Sequence, residues 1–167
     1  MFTPDGRSLL IAYYGSGHVA RVSAIDWSVV AFLPIGGAPR HVVVDGQGLF
    51  AYVSDMLRRR VFVISLPDTS VASVVAVGPN PNTVTLSPDG SLLFVSCRGP
   101  NNPDGYELRS PQNGTIRVVS TESRETVTMI EGGNQPTGLA LSPDGRYLAF
   151  SNFQDNTVEL YRIDARD

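Results

Sequence analysis

Few residues in this 167-residue chain are of the kinds that do chemistry, and they are scattered. Its 2 histidines, His18 and His41, stand 23 positions apart with no companion motif. The single cysteine, Cys97, lies in the apolar run Leu92-Leu93-Phe94-Val95-Ser96-Cys97. A small buried residue is expected there rather than a nucleophile, and one cysteine forms no intrachain disulfide. No His/Cys/Asp group has ligand spacing, so no metal site is expected. Neither Gly15-Ser16-Gly17 nor any other glycine-rich run opens a helix, so a phosphate-cradling loop of the P-loop kind is unsupported. The serines form no nucleophile elbow, and no cofactor is expected. Three aspartates recur in one setting: Asp5, Asp89 and Asp144, each within Pro-Asp-Gly. Acid–base work would require them to converge. They sit instead at one place in a repeated unit, where Pro fixes φ, Asp bonds the following backbone and Gly takes positive φ. They read as turn residues.

That repeat sets the elements. Val44-Asp45-Gly46 is a fourth, degenerate copy of the turn, and the first residues of the copies are spaced 40, 44 and 55 apart. The last spacing holds an extra loop, Gly99 to Asn113. Each turn is followed by an alternating run: Leu9 to Tyr14, Leu49 to Ser54, Leu92 to Cys97, Tyr147 to Asn152. A second run follows (His18 to Ile25, Arg60 to Ser65, Thr115 to Ser120, Thr157 to Ile163), then a third (Val29 to Ile35, Ser70 to Val77, Glu125 to Ile130). Gly/Pro-rich exits lead to a short fourth run: Arg40 to Val44, Asn82 to Leu86, Thr137 to Leu141. The runs are β-branched, aromatic and of period two, hence strands. Short strands in fours, repeated every ~40–45 residues, signal propeller blades. Radial stacking buries the apolar faces that one blade leaves open.

Composition agrees with a folded domain: 42% hydrophobic and 17% charged. A net charge of −3 argues against a nucleic-acid partner. The basic triplet Arg58-Arg59-Arg60 reads as a solvated turn. No apolar run approaches the roughly 20 residues that span a bilayer. Met1-Phe2-Thr3-Pro4-Asp5-Gly6 runs straight into a turn without the pattern of a signal peptide. The compartment stays open; a bacterial periplasmic or cell-surface place follows if a longer protein carries a signal sequence.

The order Gly-x-x-Pro, short strand, Ser-Pro-Asp-Gly, apolar strand ending in Val-Ser or Ser-Asn, then a Thr-Val strand resembles the YVTN family of bacterial β-propellers. The stretch from Gly133 through Pro143-Asp144-Gly145 to Leu148 matches that repeat closely, and the resemblance covers essentially the whole chain. The same repeat style occurs in lactonase-like propellers and in the haem-binding propeller of dissimilatory nitrite reductases. The expected fold is all-β: one partial propeller domain over 1–167, an arc of about four four-stranded antiparallel blades near 1–37, 38–79, 80–134 and 135–167. The first and last blades are incomplete, giving about fourteen strands. The resemblance implies seven-bladed rings, so one chain here cannot close a ring. A fragment of a longer propeller, an open arc and a homo-oligomer all remain. Open blade faces favour self-association.

In such a ring the Gly/Pro exits and the 98–113 insertion share one face. Arg40, His41, Asn80, Asn82, Arg98, Asn134 and Gln135 are the candidates there, with Asn101 and Tyr106 from the insertion. Long loops on rigid scaffolds carry recognition, and surface insertions are also simply tolerated. Pro39-Arg40-His41 resembles the Pro-x-His strand of lactonase-like propellers. That match implies His41 as a general base on water, with Arg40 or Arg98 stabilising an oxyanion. The alternative is a His that caps its strand by a hydrogen bond. His18 is expected as an exposed loop-edge residue. A haem reading fails for want of axial ligands. The leading expectation is a non-catalytic interaction module whose loop face holds a protein or glycan. The alternative is a lactonase-like hydrolase opening a small cyclic ester at the channel mouth.

Overall fold

The alternating runs form strands throughout the computed structural model, which describes residues 1–163. Blade by blade the strands are β1 (Ser8–Tyr13), β2 (His18–Ser23) and β3 (Val29–Pro34); then β4 (Pro39–Val44), β5 (Phe50–Asp55), β6 (Arg60–Ser65) and β7 (Ser70–Ala76). They continue as β8 (Pro81–Leu86), β9 (Leu92–Cys97), β10 (Thr115–Ser120) and β11 (Thr126–Glu131), and end with β12 (Pro136–Leu141), β13 (Tyr147–Asn152) and β14 (Thr157–Arg162). Among the described residues there are four antiparallel sheets and no helix: β1-β2-β3, β4-β5-β6-β7, β8-β9-β10-β11 and β12-β13-β14. This is the expected all-β propeller arc with incomplete first and last blades. Phe2 bridges Leu9, the trace of a first strand in the first sheet.

The core lies in the seams between sheets. Leu10 and Val19 meet Val53, Phe62 and Ile64 across the first seam. Val61, Val63 and Val75 meet Val84, Leu93 and Val95 across the second. Ile116 and Val118 meet Leu148 and Phe150 across the third. Burying each such side chain contributes about 1.5–3 kcal/mol, so stacking stabilises each sheet.

The turn aspartates behave as the sequence implies. Asp5, Asp89 and Asp144 each accept a hydroxyl at 2.6, 2.5 and 2.6 Å (Thr3, Ser87, Ser142) and a backbone N–H two residues on. The hydroxyl bond first, then the backbone N–H, hold their carboxyls below the usual carboxylate range. The degenerate copy needs correction. Gly48, not Gly46, carries the positive φ and bonds back to the Asp45 carbonyl, as Gly6, Gly90 and Gly145 do to Thr3, Ser87 and Ser142. Asp45 therefore stands where the other copies have Thr or Ser, and it caps the Leu49 and Phe50 N–H groups itself. Counted on these glycines the first two spacings are equal, 48 − 6 = 42 and 90 − 48 = 42. His18 is a second correction. It is half-buried, with its ring stacked on Phe32 at 4.4 Å. The second-strand position faces the sheet surface rather than the loop edge.

Candidate functional site

The β1–β2, β5–β6 and β9–β10 connections and the links from one sheet to the next contribute to one face. There Arg40, the second residue of β4, and Arg98, the residue after β9, point into a pocket of about 390 Å³. Its apolar wall is Tyr14, Met56, Leu57 and Tyr106; Asn80 and Asn101 complete it. The wall holds two guanidinium groups and no carboxylate.

The two arginines differ. Arg40 is exposed. Arg98 is only 8% exposed and its Nε lies buried without a partner. Its NH2 group donates to the Tyr106 carbonyl at 3.3 Å and to Gln135 Oε1. Burial, and then the charge of Arg40, push the Arg98 guanidinium below its ordinary pKa. An arginine stays charged even so, so this is a desolvated cation with no acidic partner among the described residues.

The insertion is positioned from both sides by residues at one repeat position. Asn80 and Gln135 each precede a proline, Pro81 and Pro136, and each has left-handed backbone, φ 51 and φ 58. Such a φ is costly for a side-chain-bearing residue and persists where surroundings demand it. Asn80 Nδ2 donates to the Gly99 carbonyl at 2.8 Å and to Asn101 Oδ1 at 3.0 Å. Gln135 Nε2 donates to the carbonyls of Tyr106 at 3.2 Å and Leu108 at 3.0 Å. Asn134 exchanges two bonds with the Ser110 backbone at 2.9 and 3.0 Å.

The expected site residues thus divide. Arg40, Arg98, Asn80, Asn101 and Tyr106 come together on one wall. Asn82, Asn134 and Gln135 are buried, and Asn134 and Gln135 spend their amides holding the loop. His41 faces a different cleft, toward Leu10, Ile11 and Ala12 of β1. Its Nδ1 accepts the Val84 backbone N–H at 3.4 Å across the second seam. Burial first, then neighbouring positive charge including Arg40, lower its pKa and keep it neutral. With the Nδ1 lone pair engaged, the neutral ring carries its proton on Nε2. That nitrogen then has no lone pair to take a proton from water. Tyr14, Met56 and Leu57 were missed in the sequence, because nothing local marks which loop residue turns inward.

Cys97 is fully buried and its thiol is pushed up to about 12 by burial. Among the described residues no group of His, Cys, Asp and Glu gathers as a metal site, and no helix is long and apolar enough to cross a membrane.

The profile of the family described as "Lactonase, 7-bladed beta-propeller" matches residues 1–167. "Antigen Lp49" of Leptospira interrogans is 37% identical over 172 residues, covering 98% of this chain and 38% of that protein. A 6-phosphogluconolactonase of Formosa agariphila is 27% identical over 139 residues, covering 77% of this chain and 37% of that protein. The chain therefore spans well under half the length of these two relatives. Among solved structures, a Bacteroides uniformis protein provisionally named a 6-phosphogluconolactonase superposes with a TM-score of 0.80 at 20% identity, over 98% of this chain and 49% of that one. At that identity the likeness speaks for the fold alone.

Proposed function

The chain belongs to the lactonase family of seven-bladed β-propellers, and on that footing we propose that its loop-face pocket is a binding site for a sugar-sized ligand bearing a carboxylate or phosphate. The observation that carries this is Arg98: a guanidinium 8% exposed, with a free Nε and a second arginine on the same acid-free wall. A ligand anion would supply the missing counter-charge with charge-assisted hydrogen bonds. The volume of about 390 Å³ suits a small ligand, and Tyr14 and Tyr106 offer rings for a sugar to lie against. On this reading the pocket binds without catalysis: its wall holds no histidine, and His41 faces a different cleft with its Nδ1 engaged as an acceptor.

Lactone hydrolysis is the second reading, and the relatives named 6-phosphogluconolactonase favour it. It requires either His41 in an arrangement that frees a ring nitrogen from the Val84 N–H, or a different base.

Calorimetric titration with 6-phosphogluconate and with uncharged glucose tests the proposal. Binding of the first alone, weakened at least about tenfold by Arg98→Gln, is the expected result. Equal binding of both, or none by either, would sink it. Hydrolysis of a phosphorylated lactone, abolished by His41→Asn, would replace it with the second reading.

A further inference from the structure

The same corner recurs in three seams and is closed by the chain's own groups in two of them. Val53, Val95 and Phe150 hold one repeat position, and their cross-strand partners are Phe62, Arg117 and Glu159. In the first seam the Arg60 guanidinium lies over the Phe62 ring at 4.3 Å, and Arg60 Nε donates to Asp55 at 2.9 Å. In the third seam Glu159 accepts the Gly133 N–H at 3.0 Å, the Asn152 amide N–H at 2.6 Å and the Tyr161 hydroxyl at 3.0 Å. The second seam has Cys97 where the others have Asp55 and Asn152, and Arg117 where they have Phe62 and Glu159. The half-buried Arg117 side chain has no hydrogen bond, ion pair or ring contact among the described residues, and its Nε is buried. A guanidinium in that state has given up water without gaining a partner.

Arg117 lines a cleft of about 390 Å³ at the roots of the insertion. Glu131, exposed at the end of β11, lines the same cleft. The register sets Arg117 opposite Met129, so Glu131 is its diagonal neighbour across the β10–β11 pair. Diagonal neighbours stand about 7–8 Å apart. The two charges form no ion pair with each other or with any other described residue. Met129, Pro79 and Pro100 add apolar wall, and Gln112 adds a carboxamide. The two sheets that bound this seam both have four strands.

A carboxylate beside Arg117 opposes binding of a plain anion, and the guanidinium opposes a plain cation. One unpaired charge of each sign in a small cleft matches a ligand that carries both signs on neighbouring atoms. We infer that this cleft binds a free α-amino acid with an apolar side chain. Arg117 holds its carboxylate, Glu131 its ammonium, and Met129, Pro79 and Pro100 its side chain. Both charged contacts are charge-assisted hydrogen bonds, and the cleft has the size of a small-ligand site. The inference is independent of the anion pocket, which shares no lining residue with this cleft.

Methionine methyl resonances test it, because Met129 lies in this cleft and Met56 in the anion pocket. Titration with L-leucine should shift Met129 and leave Met56 in place. N-acetyl-L-leucine lacks the ammonium and L-leucinamide lacks the carboxylate; each should bind at least about tenfold more weakly. Arg117→Gln and Glu131→Gln should each weaken L-leucine binding by a similar factor. Glu131 is exposed, so its variant tests the site without disturbing the seam. Arg98→Gln should leave L-leucine binding unchanged. A Met129 resonance that stays unmoved throughout the L-leucine titration overturns the inference. So does N-acetyl-L-leucine binding as tightly as L-leucine, which makes the cleft a plain anion site, and so does unchanged L-leucine affinity in Glu131→Gln.

Discussion

His41 Nδ1 accepts the Val84 backbone N–H at 3.4 Å, tying the first strand of one sheet to the first strand of the next. The same ring had the strongest sequence credentials for catalysis. Its bond to Val84 makes it a joint between blades and fixes where its proton sits.

That joint is pH-sensitive. Burial lowers the folded-state pKa of His41 below its ordinary 6.5. The unfolded chain then binds the extra proton first, so stability rises with pH through this window and is lost as pH falls below about 6.5. His41→Asn keeps an acceptor oxygen near the Nδ1 position and removes the titration. Urea midpoints from pH 8 to pH 5 should fall more steeply in the parent than in His41→Asn. Parallel curves would show that the imidazole charges freely in the folded chain.

Arg98 carries an opposite expectation for ligand-free stability. Removing a desolvated cation that has no acidic partner among the described residues relieves its burial cost, so Arg98→Gln should leave the unfolding free energy unchanged or raise it by about 1 kcal/mol. Inorganic phosphate should stabilise the parent and not the variant, since a ligand stabilises only the state that binds it. The readout is thermal melting with and without phosphate. A variant that melts early and still gains from phosphate would make Arg98 a structural residue.

How much of this was legible in the sequence follows from what repeats. The turn Pro-Asp-Gly and the period-two runs place fourteen strands with ends within two residues of the observed ones, since alternation and turn chemistry act locally. The degenerate turn was misaligned because Asp45 takes the capping role that Thr3, Ser87 and Ser142 play elsewhere. The loop face was legible as a face, and Arg40, Arg98, Asn101 and Tyr106 meet on it. Side-chain direction was not. Gln135 reads like a surface residue, and only its left-handed backbone turns its amide inward beneath the insertion. The same limit hid Asp55, whose role depends on a loop seventeen residues away.

Asp55 is fully buried and takes three donors: Ala38 N–H at 2.8 Å, Leu57 N–H at 3.2 Å and Arg60 Nε at 2.9 Å. Asp55→Ala leaves all three unsatisfied beside a guanidinium and should cost about 3–5 kcal/mol. Gly37→Ala reaches the same locus from the other side. Its φ is +69, and an added Cβ would stand 2.2 Å from the Asp55 carboxylate oxygens. Both variants should unfold at much lower urea than the parent, and a loss under about 1 kcal/mol for either would show that this loop relaxes freely.

Gln135 separates the loop from the blades. Its amide bonds Tyr106, Leu108 and Arg98, all within or at the root of the insertion, while the strands on either side keep their own ladders. Gln135→Ala removes these bonds and keeps the strained φ, so the insertion should open locally while the seams stay shut. Tyr106 and Arg109 lie exposed in it, offering cuts to chymotrypsin and trypsin. Cleavage there should quicken by about tenfold, the equivalent of 1.4 kcal/mol of local opening, with the global urea midpoint moved far less. If cleavage and midpoint change together, the insertion is part of the cooperative core. If only cleavage changes, the wall carrying Asn101 and Tyr106 is an independently adjustable side of a pocket whose arginines stand on the blades.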